Sequence, residues 1–237
     1  MSDASVFSLT YRFRFPDGME KEFRVRLDRQ SGASARSVRD DLPDWTKLSY
    51  RQCRHCPLSR DEHTHCPVAV NIVDLVEFFQ DFRSVEQVSV DVETPQRVSK
   101  REKTALFPAI SSLMGIYMVT SGCPILDKLR PMSRFHLPFA DTEETLYRAF
   151  SMYALAQYFR HRHSLEADWG FEGLKKIYKD VNRVNLDFSR RFHNESISEA
   201  SSNAIISLDC FAQEIDFSIT EEALAEIEVL FQGYLAE

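Results

Sequence analysis

The sequence has few of the residues that interrupt regular structure. Its 237 residues include only seven glycines and nine prolines, and these are scattered along the chain. That excludes collagen-like and linker-like chains, which depend on runs of glycine, proline or small polar residues. With 43% hydrophobic and 27% charged residues, the composition is that of a globular protein, and we expect it to be rich in helix.

Long hydrophobic runs are also missing. The longest, ALFPAISSLMGIYMV (Ala105 to Val119), contains Pro108 and Gly115 and is shorter than the roughly 20 apolar residues that cross a membrane. The first residues, MSDASVFSLTYRF, lack the basic and apolar regions of a secretory signal. The cysteines number five, an odd count that favours reduced thiols. These features predict a cytoplasmic protein with no membrane partner.

The chain lacks the sequence motifs of several common enzymatic activities. The chain has no G-x-x-x-x-G-K-[ST] or G-x-G-x-x-G phosphate loop, no G-x-S-x-G elbow and no H-E-x-x-H zinc motif. Its formal net charge of −7 opposes binding to phosphate backbones, so we expect no nucleic-acid partner. An enzymatic activity is left open by the sequence but is not indicated by it.

The N-terminal residues alternate between apolar and polar side chains. VFSLTYRFRF (Val6 to Phe15), the turn signal PDG and EFRVRLD (Glu22 to Asp28) together predict an antiparallel hairpin with one face exposed to water. VSVDVET (Val88 to Thr94) alternates in the same way and predicts a third strand. RVSKREK (Arg97 to Lys103) suits a charged strand at the edge of the sheet.

From Pro67 onward most of the chain has helical periodicity. We expect helices over Pro67–Phe82 and from about Thr104 to Gly122, a short one that Pro131 ends, and a long one that begins with a capping box at Asp141 and Glu144. Ser218 and Glu221 predict the cap of the last helix. The fold class is therefore α+β, with a small antiparallel sheet packed on a mainly helical bundle.

We predict one domain over residues 1–237. It comprises a hairpin and linker (1–48), a cysteine- and histidine-rich loop (49–66) and a mainly helical part (67–237).

The helix predicted over residues 171–192 carries a heptad-like seam. Apolar residues recur there at alternating spacings of three and four, with Asn185 as the one polar member. Such a seam is typical of an internal bundle helix or of a coiled-coil pair, in which the polar residue sets the register. The sequence leaves both open, so a protein partner or a second copy of the chain is one expectation for this helix.

The segment CRHCPLSRDEHTHCP places three cysteines and three histidines in one short polar stretch. Cys53 and Cys56 have the C-x2-C spacing with which one turn supplies two thiolates to a single ion, and Cys66 follows nine residues later. A fourth ligand is available in two places. His63 completes a local site of three cysteines and one histidine, whereas Cys123 completes a site of four cysteines.

The prolines favour Cys123 as the fourth ligand. Pro67 and Pro124 directly follow Cys66 and Cys123, and each is expected at the first position of a helix. Both cysteines then lie at helix N-termini, which favour thiolates. Cys210 is expected to be a buried core thiol instead.

Four thiolates suit either of two cofactors. Zn²⁺ is the first expectation, and a 4Fe-4S cluster is the alternative, although C-x2-C-x9-C-x56-C is not the ferredoxin spacing. The corresponding functions are a structural or regulatory metal site that acts through a partner or self-association, and a redox or electron-transfer module. A weaker alternative is a metal-dependent hydrolase whose open site uses His63 or His65. The remaining interpretation is a loop of thiols and solvated histidines without a metal.

Three blocks, YRQCRHCPL, HCPVAVNIVDLVE and SGCPILDKLRPMSRFHLPFADTEETLYRAFSMY, resemble those of an uncharacterised bacterial domain family of unknown function. The resemblance covers the chain from about Tyr50 to Tyr158. It implies a bacterial protein that uses Cys53, Cys56, Cys66 and Cys123 together, and it implies no activity.

Overall fold

The structure is a computed structural model that describes residues 5–36, 39–192 and 198–236, so both ends of the predicted domain lie outside the described residues. It has the α+β fold that the sequence predicts. The strands are β1 (Val6–Arg14), β2 (Glu20–Asp28), β3 (Gln87–Glu93) and β4 (Val98–Ala105). The helices are α1 (Pro67–Phe78), α2 (Leu106–Val119), α3 (Arg130–Arg134), α4 (Thr142–Arg162), α5 (Glu172–Phe192), α6 (Glu199–Ser218), α7 (Glu221–Glu228) and α8 (Gln232–Leu235). Short 3-10 turns cover Asp44–Thr46, Leu126–Leu129 and Val229–Phe231.

The strands form an open antiparallel sheet in the order β2-β1-β3-β4. The hairpin, the third strand and the charged edge strand all lie where the alternating patterns predict them. A register shift between Val88 and Val90 interrupts the pairing of β3 with β4, and Lys103 near it adopts a left-handed backbone with φ 51°. This irregularity and the charged side chains of β4 both hinder the edge from pairing with another chain.

One face of the sheet packs on helix α1 through aromatic side chains. The alternation of β1 and β2 places Phe13 and Phe23 on this face, and both are buried. The ring centroid of Phe79, directly after α1, lies 5.2 Å from that of Phe13 and 5.6 Å from that of Phe23. These rings belong to a buried cluster that contains residues from Phe7 to Ile219.

The opposite face of the sheet carries ion pairs between neighbouring strands. Both terminal nitrogens of Arg14 donate hydrogen bonds to the carboxylate of Asp91, at 2.5 and 2.9 Å, and this contact holds the pKa of Asp91 below its ordinary value. Arg12 pairs with Glu22 across β1 and β2. Opposite charges on adjacent strands fix the register of a face that gains little from hydrophobic burial.

Helix α5 turns its heptad seam inward. The seam residues from Leu174 to Phe192, including Asn185, are buried, and α5 packs against α4 and α6. The seam therefore serves this chain's own core. The prediction of a partner for helix 171–192 stays a prediction, and it now applies to the outer face of α5.

Several helix ends differ from the predicted ones. α1 ends at Phe78 rather than Phe82, and α2 begins at Leu106 because β4 extends to Ala105. Pro131 lies in the first turn of α3 rather than ending a helix, at a position where its missing N–H leaves no hydrogen bond unmade. The capping box of Asp141 and Glu144 is confirmed. The last predicted cap is wrong, since Thr220 rather than Ser218 caps α7.

Within the described ranges no helix combines the length and the apolar character that crossing a membrane requires.

The aromatic cluster supplies a test of the fold. Phe79→Ala should lower the free energy of unfolding by about 3–5 kcal/mol, because it empties a fully buried site between the sheet and α1. Phe217→Ala, at a side chain that is 82% exposed, is the matched control and should change it by no more than ~0.5 kcal/mol. Urea unfolding followed by circular dichroism measures both. Equal effects of the two substitutions would contradict the packing described here.

Candidate metal site: four cysteines around a buried arginine

The four cysteines lie in three segments that meet beside α5. Cys53 and Cys56 belong to the loop before α1 and are half-buried, and the N–H of Cys56 donates to the carbonyl oxygen of Cys53 at 3.0 Å. Cys66 is buried at the N-cap of α1, with Pro67 in the first position, as predicted. Cys123 is buried in the turn that follows α2.

Backbone pairing within the loop brings Cys66 to its place. The N–H of Cys66 donates to the carbonyl oxygen of Thr46, and the N–H of Leu48 donates to that of Thr64, both at 2.8 Å. The side chain of His65 also contacts Thr46, because its Nδ1 lies 2.8 Å from the hydroxyl of Thr46. The loop therefore folds back on itself just before α1 begins.

The four sulfurs are close enough to act on one another electrostatically in every one of their pairings. Burial, and then the Cys66 sulfur, Asp187 and the sulfurs of Cys123 and Cys56, raise the pKa of Cys53 to about 12. Burial is also the main cause that raises the pKa of Cys66 and of Cys123, and the sulfur of Cys56 contributes to both. Since Coulomb interactions fall with distance and are screened by water, the four thiols share one buried neighbourhood.

Backbone N–H groups favour the thiolate at two of the sulfurs. Those of Val68 and Ala69 act in this way on Cys66, and those of Ile125 and Leu126 act on Cys123. At Cys66 they do so without a capping hydrogen bond of standard geometry. The predicted N-cap at Cys123 is wrong in detail, because Pro124 lies in a turn and the 3-10 helix begins at Leu126. The two cysteines nevertheless share this arrangement, with N–H groups two and three residues ahead.

Arg191, in the last turn of α5, places a cation beside the sulfurs. It is 1% exposed. Its Nη1 donates to the carbonyl oxygens of Trp45 (2.7 Å) and Lys47 (2.8 Å), and its Nη2 to that of Arg51 (3.5 Å). Burial lowers the pKa of Arg191, and the sulfurs of Cys66, Cys53 and Cys56 oppose this effect.

No carboxylate neutralises this guanidinium in the part of the chain that the structure describes. Arg191 takes no part in the ion pairs formed there. Its Nε is buried and has no hydrogen-bond partner among the described residues. The ionisable groups that act on it are the thiols of Cys66, Cys53 and Cys56 and the phenol of Tyr50. The thiols become anionic when they bind a metal.

Asp187, one helical turn before Arg191, ties the C-x2-C loop to α5. Its buried carboxylate accepts hydrogen bonds from the backbone N–H of Arg54 at 3.0 Å and from the Arg54 side chain at 3.1 Å. Arg190 donates to the same carboxylate at 2.9 Å. The loop residue between the two cysteines is therefore fixed to the helix that carries the buried cation.

The histidines of the loop do not join the four cysteines as a group. His63, the alternative fourth ligand, is exposed. Nε2 of His55 lies 3.1 Å from the carbonyl oxygen of Asp180, and its Nδ1 is buried without a partner among the described residues. Cys210 is exposed rather than buried, so the prediction of a core thiol is wrong.

The described residues contain no three His, Cys, Asp or Glu side chains that are arranged as a ready-made metal site. The chemistry of the cluster nevertheless fits a thiophilic metal, since it combines four thiols with the buried guanidinium of Arg191, which has no carboxylate partner among the described residues. The site is a cluster of four thiols, and its ligand role is a prediction.

Arg191 and Asp187 are site residues that no sequence motif predicts. Both lie beside the α5 seam, one helical turn apart, so they share the buried face of the helix. Charged residues next to an apolar seam are a usable signal in principle. Their pairing with a loop more than 130 residues away is not visible in the sequence.

The sequence of this chain matches one known protein family. A family profile described as Domain of unknown function (DUF6901) matches residues 9–232. The chain belongs to this family. Neither the curated proteins nor the solved structures give a match to the chain.

The burial of the thiols predicts their reactivity in the folded protein. Cys210 should react rapidly with an aromatic disulfide reagent at pH 7, because it alone among the five cysteines is exposed. Cys53, Cys66 and Cys123 should react only on unfolding, since burial raises their pKa. We expect one fast thiol per chain, absent in Cys210→Ser. A fast phase that survives this substitution would contradict the assignment.

Proposed function

We propose that Cys53, Cys56, Cys66 and Cys123 bind one metal ion, with Zn²⁺ as the default, and that this ion has a structural role. It would join the loop before α1 to the turn after α2. The observation that carries the proposal is the buried guanidinium of Arg191, which lies beside the sulfurs and has no carboxylate partner in the described chain.

The charge balance supports this proposal. A divalent ion with four thiolates has a net charge of −2, because four negative ligands surround two positive charges. A buried cation beside such a centre is attracted to it and lowers the cost of burying it. Neutral thiols would leave Arg191 in a low-dielectric site with only carbonyl dipoles and the rings of Tyr50 and Phe188 around it, which is costly for a permanent cation.

The architecture supports a structural ion rather than a catalytic one. Four protein ligands close the coordination shell of zinc and leave no position for water or substrate. Residues 49–66 contribute only Cys66 to the buried core, so a metal would supply stability to this segment that packing does not. A regulatory role through a protein partner or a second copy, bound at the outer face of α5, extends the same proposal.

The state of the cysteines supports a reducing compartment. All five are free of disulfides in the structure, as expected for a cytoplasmic protein, and we propose that location. The bacterial origin that the resemblance implies belongs to the same proposal.

The first test is metal content. Anaerobically purified protein should contain one zinc per chain, and Cys123→Ser should lose most of it, whereas Cys210→Ser should retain it. Removal of the metal with a chelator should lower the melting temperature of the wild-type protein markedly, because metal binding contributes to folding.

Two results would contradict this proposal. One is a melting temperature that complete metal removal leaves unchanged. The other is a brown preparation with stoichiometric iron, which would replace zinc by the iron–sulfur alternative.

The second test concerns Arg191. Arg191→Met removes the buried charge and keeps an unbranched side chain, and it should weaken zinc binding by about 10- to 100-fold, as loss of a supporting group around a metal does. Arg191→Lys, which keeps the charge, should weaken it less. Arg183→Met, exposed on the same helix, is the control.

Competition with a chromophoric chelator measures the affinities, and circular dichroism checks that each variant is folded. Equal zinc affinities of folded Arg191→Met and Arg183→Met would refute the electrostatic role of Arg191.

A further inference from the structure

A second site lies among the helices, in a cavity of about 340 Å³. Its walls come from β4, helices α2 to α6, the 3-10 turn Leu126–Leu129 and the segment between α3 and α4. They include Met118, Leu129, Met132 and Phe211. This volume is within the range of pockets that hold small molecules. Unbranched methionine side chains adapt to a flexible apolar ligand.

The charged side chains on the cavity wall all have one sign. Arg148 and Arg101 line it, and none of the described lining residues is an aspartate or glutamate. A low-dielectric cavity with cations alone on its wall attracts an anionic group.

Arg148 has donors available for such a group. Its Nη2 donates to the carbonyl oxygens of Met132 (3.2 Å) and Phe135 (2.9 Å), which fixes the guanidinium against α3. Nη1 and Nε take no part in the hydrogen bonds formed within the described ranges. Both two-donor edges of a guanidinium include Nη2, so Nη1 and Nε cannot bind one carboxylate as a pair. Either of them can still donate one charge-assisted hydrogen bond to a carboxylate oxygen.

His136 and Ser112 line the cavity, and they and the phenol of Tyr11, which contacts both from outside the wall, are neutral. The hydroxyl of Tyr11 lies 2.6 Å from Nε2 of His136 and 2.8 Å from the hydroxyl of Ser112. Burial, with a smaller contribution from Arg148, lowers the pKa of His136 to about 3, so its imidazole is uncharged at pH 7. Burial also raises the pKa of Tyr11, whose phenol stays protonated. None of these three groups competes as an anion for Arg148.

The segment that closes one side of the cavity is conformationally strained. Phe139 adopts a left-handed backbone with φ 60°, and its ring lies 5.0 Å from the guanidinium of Arg101. His136, Leu137 and Ala140 of the same segment also line the cavity. A non-glycine residue in this conformation persists where its surroundings hold it, and such residues are frequent at ligand sites.

We propose that this cavity binds a straight-chain carboxylate of medium length, of the fatty-acid type. Its carboxylate pairs with Arg148, and its alkyl chain lies along Met118, Leu129 and Met132. The cavity has a lining of its own, because none of the four thiols belongs to its wall.

The test compares three probes that share a ten-carbon chain. Decanoate should bind to the full-length protein with one site per chain by isothermal titration calorimetry. Decanol, which lacks the charge, should bind at least about tenfold more weakly, and decylamine, which has the opposite charge, should not bind measurably. Equal affinities for decanoate and decanol would overturn the proposal.

Variants locate the site. Arg148→Met should reduce the affinity for decanoate to that for decanol, whereas Arg162→Met, exposed near the end of the same helix, should leave it unchanged. Because Arg148 also holds two carbonyl groups, Ser207→Phe provides a second test, which fills the cavity from α6 and keeps the arginine. Unchanged decanoate binding in folded Ser207→Phe would place the ligand elsewhere and refute the proposal.

Discussion

The buried guanidinium of Arg191 connects segments that are distant in sequence. It holds three backbone carbonyl groups of the loop that precedes α1, from Trp45 to Arg51, while its own helix ends one residue later. A permanent cation in this position requires hydrogen bonds and a negative partner, since a buried and uncompensated charge is among the most expensive features of a fold. The hydrogen bonds come from the loop. The nearest groups that become anionic are the sulfurs, so the path of the loop, the end of α5 and the chemistry of the thiols depend on one another.

The rest of the structure provides a frame for this contact. The sheet, α1 and α2 are joined by side chains that are almost completely buried, and the aromatic cluster at Phe79 closes that layer. The loop adds two apolar side chains to the core, Leu48 and Trp45, and Leu42, Tyr50 and Leu58 pack against it while partly buried. The ring of Trp45 lies 5.8 Å from that of Phe192 in an edge-on contact. Elsewhere the loop is held by hydrogen bonds to α5 and by its own backbone pairing, and a metal ion would be a further crosslink of the kind that polar loops use.

How much of this was predictable depends on the range of the interaction. Alternating and heptad patterns report which face of an element is buried, so the hairpin and the charged edge strand β4 could be predicted from the sequence. The heptad pattern identified the buried face of α5 but left open whether this chain or a partner covers it. The N-cap at Cys66 was also predictable, because its proline is adjacent. The ends of helices were less predictable, since Pro131 is compatible with either the start or the end of a helix.

The contacts of Arg191 and Asp187 could not be predicted. Each joins residues more than 130 positions apart, and periodicity carries no information about which loop packs on which helix. The prediction that Cys210 is buried failed for a related reason. An apolar neighbourhood in the sequence does not say which side of α6 the other helices cover.

The segment from Cys123 to Leu129 belongs to both candidate sites. The N–H groups of Ile125 and Leu126 act on the sulfur of Cys123, and the side chains of Leu126 and Leu129 form part of the cavity wall. The carbonyl oxygen of Cys123 accepts a hydrogen bond from Asp127 at 2.9 Å, which makes the turn one compact unit. Such a unit shifts as a whole rather than residue by residue, because its hydrogen bonds and its packing are shared. The position of the Cys123 sulfur and the shape of the cavity are therefore set by the same few backbone torsions.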